Sequence, residues 1–172
     1  MTETIPYEVT GHLGEVELRR YPAILLVSVQ GLEENEAFWV LFRYISGNNQ
    51  PGKKVPMTAP VITPEKIAMT APVISGTAGM SFVLPASYTR DEVPEPIDTR
   101  ASISEVPARE IAVIRFSGRA SPADVASVRE RLLEALREKG ISTVGEPFLM
   151  RYNAPFTPGF LRRNEVGVEI RR

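Results

Sequence analysis

Lys53–Leu84 reads KKVPMTAPVITPEKIAMTAPVISGTAGMSFVL, and one segment within it is written almost twice. Val55-Pro56-Met57-Thr58-Ala59-Pro60-Val61-Ile62 returns as Ile67-Ala68-Met69-Thr70-Ala71-Pro72-Val73-Ile74, an offset of twelve residues. Each copy follows a lysine, Lys54 or Lys66. At the two-residue period of a strand, Val55, Met57, Ala59 and Val61 share one side, and so do Ile67, Met69, Ala71 and Val73. Each proline holds the alanine before it in the extended region and removes a ladder donor. The spacing therefore predicts two strands that are either edge strands or interrupted ones. Thr63-Pro64-Glu65 turns the chain between them and leaves the matched faces on one side of the sheet. Ser75–Gly79 turns it again into Met80–Leu84. Two copies are too few for a solenoid. Two readings stand: a local duplication of a sheet edge, or neighbouring strands whose unpaired backbone groups border a ligand groove.

Working upstream, Glu33–Ile45 changes period. Phe38, Leu41, Phe42 and Ile45 fall at i, i+3, i+4 and i+7, the face of an amphipathic helix. Glu33, Glu34 and Glu36 suit its N-terminal end, and Gly47 stands where a C-terminal cap belongs. Val16–Val29 is rich in aliphatic residues, and Pro22 divides it into two strand pieces or one bulged strand. Downstream, Pro85–Pro96 is a proline-rich connection. Ser102–Val106 and Ile111–Phe116 read as strands. Ser121-Pro122-Ala123-Asp124 starts a second helix, with a Ser N-cap, Pro at the first helical position and a carboxylate three residues after the cap. Val125, Val128, Leu132 and Leu136 form its stripe, and Gly140 ends it. Phe148–Tyr152 and Val166–Ile170 alternate as strands around a loop with two prolines. Each half of the chain thus runs strand, glycine, helix and further strands. That order predicts an α+β domain spanning residues 1–172, two helices lying on one curved antiparallel sheet that curls towards a barrel, with halves related by an approximate twofold.

Composition narrows the function. At 172 residues the chain is long enough to bury a substantial core, and 43% hydrophobic with 24% charged residues is an average globular balance. A formal net charge of −1 gives no sign of a nucleic-acid partner or a strongly anionic membrane. No apolar run approaches the roughly 20 residues of a membrane span. MTETIPYEVTGHLGE lacks the basic and apolar regions of an export signal, so a cytoplasmic protein is expected. Without cysteine there are no disulfides or thiolate sites, and His12 is the sole histidine. These two facts remove most metalloenzyme and Ser-His-Asp schemes.

Candidates for chemistry are few. Asp91-Glu92 and Glu33-Glu34 read as solvated turn and helix-start residues, although a pair of groove carboxylates is a three-dimensional matter. His12 reads as a surface residue in an N-terminal turn. Met57, Met69, Met80 and Met150 read as core filling in preference to metal or porphyrin contacts. On the first helix, Trp39 and Arg43 are one turn apart. An indole beside a guanidinium is either a clamp for a flat anionic ligand or an ordinary stacked surface pair.

Several segments together resemble the SOUL/heme-binding protein family. They are Tyr7-Glu8-Val9, Arg19-Arg20-Tyr21-Pro22, Phe42-Arg43-Tyr44-Ile45-Ser46-Gly47-Asn48-Asn49, and the Lys-x-x-Met-Thr-Ala-Pro-Val motif from Lys54 and again from Lys66. Phe82-Val83-Leu84-Pro85, Pro94-Glu95-Pro96, Arg115-Phe116-Ser117-Gly118 and the run from Tyr152-Asn153-Ala154-Pro155 to Arg163-Asn164-Glu165-Val166 complete the order along nearly the whole chain. The resemblance implies a distorted antiparallel β-barrel flanked by two helices, similar also to effector-binding domains of bacterial transcription regulators. It implies a soluble, non-catalytic binder or carrier of heme or another tetrapyrrole. One branch of the family ligates iron with a histidine just before the tyrosine of Arg19-Arg20-Tyr21, and that position here is Arg20. Another binds through a hydrophobic patch on the first helix, with basic residues meeting the propionates. One of those matches Arg43; the others fall near Asn35 and near Pro158, beside Arg162. The expected cofactor-binding residues are Trp39, Arg43, Arg20 and Arg162, with heme held weakly and without a strong protein ligand to iron. A small-molecule hydrolase using groove carboxylates, and a ligand-free interaction module, are the competing expectations.

Overall fold

The structure, a computed structural model, describes residues 3–50, 67, 70–76, 79–153 and 156–172. In chain order the strands are β1 (Glu3–Thr4), β2 (Glu8–Leu13), β3 (Val16–Tyr21), β4 (Ile24–Gln30), β5 (Asn49–Gln50), β6 (Thr70–Gly76), β7 (Gly79–Val83), β8 (Glu95–Pro96), β9 (Ala101–Val106), β10 (Arg109–Phe116), β11 (Ser142–Arg151) and β12 (Asn164–Arg171). Helix α1 (Glu34–Ile45) precedes β5, helix α2 (Pro122–Glu138) follows β10, and a 3-10 turn (Gly159–Leu161) leads into β12. The class is α+β, with sheet that is mostly antiparallel; β1 pairs β6 in parallel.

The chain divides into two compact units, and these are not its two sequence halves. One comprises residues 1–5, 23–73 and 78–106; the other comprises 6–22, 74–77 and 107–172. The break at Pro22-Ala23 sends β3 to one unit and β4 to the other.

In the first unit the strands run β7, β4, β9, and β6 is shared between the units, its residues 70–73 in the first and 74–76 in the second. Leu25, Val27 and Val29 alternate along β4 and meet Met80 and Phe82 of β7 beneath α1. Helix α1 lays Ala37, Val40, Leu41, Tyr44 and Ile45 on them. The buried face is thus turned from the expected one: Phe38 is only half-buried and Phe42 is exposed. The reason lies in Tyr44, whose hydroxyl donates to the Pro94 carbonyl at 2.6 Å and so carries a polar tip into the core without leaving it unpaired. Gly79 is required where β7 meets β4. Its φ is +153°, and a Cβ there would lie 2.0 Å from the Val29 carbonyl oxygen.

In the second unit the order is β2, β3, β10, β12, β11. One sheet face carries Val16, Leu18, Ala112, Ile114, Val166, Val168 and Ile170, and α2 covers it with Val128, Leu132 and Leu136. The helix starts as expected: the Ser121 hydroxyl accepts from the Asp124 amide at 3.2 Å. Val125 is half-buried at the edge of the stripe.

β2 and β9 each end their strand order without a further neighbour, so among the described residues the sheet is not closed into the expected barrel. The first copy of the doubled motif, with Met57, lies outside the described residues, as does Met69. In the second copy Pro72, joined to Ala71 by a cis peptide bond, sits within β6. That strand has neighbours on both sides in the strand order, so of the two expectations, edge or interrupted, the edge position does not hold. Met80 and Met150 are core residues.

Candidate functional site

Helix α1 presents an aromatic surface that folding does not consume. Its residues 37–42, Ala-Phe-Trp-Val-Leu-Phe, are apolar all round, more than a single buried stripe can take. Once Val40, Leu41, Tyr44 and Ala37 face the sheet, Trp39 and Phe42 point outwards, 47% and 40% exposed. Phe38 sits between surface and core. Its ring stacks on Phe42 at 5.9 Å, meets Trp39 edge-on at 5.7 Å and meets the buried Phe82 at 5.5 Å. Trp39 and Phe42 are themselves edge to face at 5.6 Å. The three rings therefore form a locked platform, anchored through Phe38 to the core.

Charge lies beside the platform. Arg43, one turn on from Trp39, is exposed. Among the described residues no guanidinium lies over the indole, so the expected Trp39–Arg43 stack is not what orders this face. Asp98 faces a guanidinium from Arg100, which donates through Nε at 3.0 Å and Nη2 at 2.7 Å; Arg100 also reaches Glu36 at 3.0 Å. The Arg100 side-chain and backbone bonds hold the Asp98 carboxyl at about 2, with Arg43 adding a smaller pull in the same direction. The surface thus combines apolar rings with an exposed cation and an acid kept ionised.

The second unit holds a buried charged cluster on the sheet face away from α2. Arg19 of β3 and Glu165 of β12 are 2% and 0% exposed, and two parallel N–H···O bonds of 2.8 and 2.6 Å join them. Arg19 also donates to Glu17 at 2.6 Å and to the Tyr21 hydroxyl at 2.8 Å, and it lies 4.1 Å from the centre of the Tyr7 ring. Arg163 closes the network on Glu165 at 3.0 Å and on the Tyr7 hydroxyl at 3.0 Å, and stacks over Tyr152 at 4.2 Å. Burial works against the charge on both central residues, yet each is held more firmly ionised than usual by the other: the Arg19 pKa is raised and that of Glu165 lowered. Burial, then the Glu165 charge, pushes the Tyr152 phenol up. A general acid needs a raised carboxyl, and Glu165 moves the other way.

The remaining expected residues fall outside the platform. Arg20 is exposed on β3, 3.4 Å from Glu8 and 4.0 Å from Glu110. Arg162 is half-buried and donates through Nε to the Thr157 carbonyl at 2.8 Å. Both belong to the second unit, whereas Trp39 and Arg43 belong to the first. His12 is a surface residue, but in strand β2 and not in a turn, with Nε2 3.7 Å from Glu17. Among the described residues no three His, Asp or Glu side chains converge as metal ligands.

The model of the SOUL heme-binding protein family matches residues 2–169. The chain belongs to that family. Solved structures similar to this SOUL-family chain include the EcmrR C-terminal domain, at 11% identity and TM-score 0.56 over 96% of this chain and 98% of that one. A hydrolase from Listeria innocua aligns at 8% identity and TM-score 0.57 over 91% of each chain. An uncharacterized conserved protein from the same organism aligns at 10% and 0.56, over 90% of this chain and 92% of that one. At such identities the likeness concerns the fold alone. No curated protein matches the sequence. No described helix of this SOUL-family chain is long and apolar enough to cross a membrane.

Proposed function

We propose that this SOUL-family chain is a non-catalytic binder of heme or a similar flat apolar anion, seated on the aromatic platform of α1. The observation that carries the reading is the half-exposed Trp39–Phe42 pair, locked by Phe38 and flanked by the exposed Arg43. These residues fit a tetrapyrrole: rings for the macrocycle face and a guanidinium for a propionate. Iron chemistry, where heme is bound, comes from the cofactor; the chain supplies apolar contact, charge pairing and orientation. Arg20 and Arg162, in the other unit, are not part of this proposal.

The energetic balance favours apolar contact over charge. Covering about 200 Å² of macrocycle contributes roughly 5 kcal/mol before association costs. A half-exposed propionate–guanidinium contact adds about 1 kcal/mol. Together these reach about 6 kcal/mol before those costs, so affinity no tighter than roughly tens of micromolar is expected. Titration with hemin should give a Soret shift saturating near one equivalent. Trp39→Ala with Phe42→Ala should remove the shift, and Arg43→Gln should weaken it severalfold. No saturable shift, or one indifferent to all three changes, contradicts the assignment. The hydrolase reading has less support, because the carboxylates of Asp98 and Glu165 are both shifted towards ionisation.

A further inference from the structure

A second exposed apolar cluster lies in the unit that carries α2, and the tetrapyrrole reading makes no use of it. Phe156, Phe160 and Leu161 are 88%, 80% and 61% exposed. The turn around Pro158 and Gly159 is held by hydrogen bonds. The Gly118 amide donates to the Gly159 carbonyl at 2.9 Å, and the Leu161 amide to that of Pro158 at 2.9 Å. Arg162 bonds the turn twice, from its amide to Gly159 at 3.1 Å and from Nε to the Thr157 carbonyl at 2.8 Å. The buried Asn164 side chain secures the neighbouring strand end by donating to the Gly118 carbonyl at 2.8 Å. A bonded scaffold thus presents two phenyl rings and a leucine to water, which a molecule with no use for them would avoid.

An unpaired cation accompanies the cluster. Arg119 packs against the turn, its Cγ 3.5 Å from where Gly159 would carry a Cβ. Arg119 is exposed, and among the described residues it has no ion-pair partner. Three such side chains present at most about 500 Å², below the roughly 800 Å² per side of a stable protein interface. A small apolar prong beside a free guanidinium suits a lipid surface, where rings enter the headgroup–acyl boundary and an arginine meets anionic headgroups.

We propose that this turn docks the protein reversibly on anionic lipid bilayers, with Phe156, Phe160 and Leu161 inserted and Arg119 on the headgroups. The proposal is independent of the tetrapyrrole reading, and its test uses the full chain without hemin. Vesicles of phosphatidylcholine with about 30% phosphatidylserine should co-sediment the protein, with weaker binding to phosphatidylcholine alone and at raised salt. Phe156→Ser with Phe160→Ser should lower the partition coefficient about tenfold or more. Arg119→Glu should lower it severalfold on anionic vesicles alone. Both variants should keep the wild-type circular dichroism melt and hemin titration, since the changed side chains are exposed and outside the platform. Wild-type protein that stays in the supernatant, or a double phenylalanine variant that sediments equally well, overturns the proposal. Loss of a dimer in the double variant, seen by light scattering without vesicle binding, would assign the surface to a second copy of the chain instead.

Discussion

Helices α1 and α2 each lie on an antiparallel sheet, and they treat their outward faces in opposite ways. Helix α2 buries Val128, Leu132 and Leu136 and turns charge to the water, with Arg129 paired to Glu146, Arg131 to Glu15 and Arg137 to Glu134. Helix α1 buries a complete stripe and still carries Trp39 and Phe42 outside it. The sheets contrast as well. Away from α1, β4 and β7 share a modest Ser28–Ser81 hydroxyl bond of 2.6 Å, whereas the face away from α2 holds the Arg19–Glu165 pair. Surplus apolar surface on α1 and surplus buried charge opposite α2 are both more than folding requires. They differ in consequence: the first is open to a ligand, the second is saturated by its own partners.

The sharpest way to break the comparison is to open the buried pair. Glu165→Ala leaves the Arg19 guanidinium uncompensated and should cost about 3–5 kcal/mol in urea unfolding. The same pair sets an acid dependence. Burial alone would raise the Glu165 carboxyl, but the bond and charge of Arg19 bring it below its ordinary 4.5. In that interval the unfolded chain binds a proton that the folded chain does not. The contribution is therefore complete above the ordinary value and is lost as pH falls through the folded one. Asp98, held at about 2 by Arg100 against an ordinary 3.8, acts in the same direction over its own interval. Stability measured against pH should fall on the acid side, and Glu165→Gln should flatten that limb.

Smaller effects separate the helices themselves. Leu132→Ala in the α2 stripe opens a cavity and should cost about 2–5 kcal/mol. Ser121→Ala removes the bond to the Asp124 amide and should cost about 1 kcal/mol. Trp39→Ala on α1 should cost under about 1 kcal/mol, because the indole is half in water already. Chemical denaturation of the three variants tests that order; a Trp39→Ala loss matching that of Leu132→Ala would make the platform part of the core.

Legibility followed locality. Helix α2 was readable to within a residue because its cap, its proline and its stripe all lie within one short segment. The extent of α1 was readable too, but not its rotation. With Ala37 to Phe42 all apolar, periodicity admits more than one buried face, and the Tyr44–Pro94 bond that decides it spans fifty residues of sequence. The Arg19–Glu165 pair was beyond reach, since its members stand 146 positions apart and polar strand residues ordinarily signal a solvated face. Only the family resemblance marks the segments around both. The interleaving of the units depends on which strands pair across Pro22-Ala23, and no local pattern expresses that.

Trp39 is the sole tryptophan, so the protein has one indole N–H signal. Following that signal by heteronuclear NMR during titration with iron-free protoporphyrin tests the central claim directly. The account predicts that the indole resonance shifts or broadens in step with the porphyrin absorption change and stops near one equivalent. An absorption change that saturates while the Trp39 resonance stays in place would show that the ligand binds elsewhere.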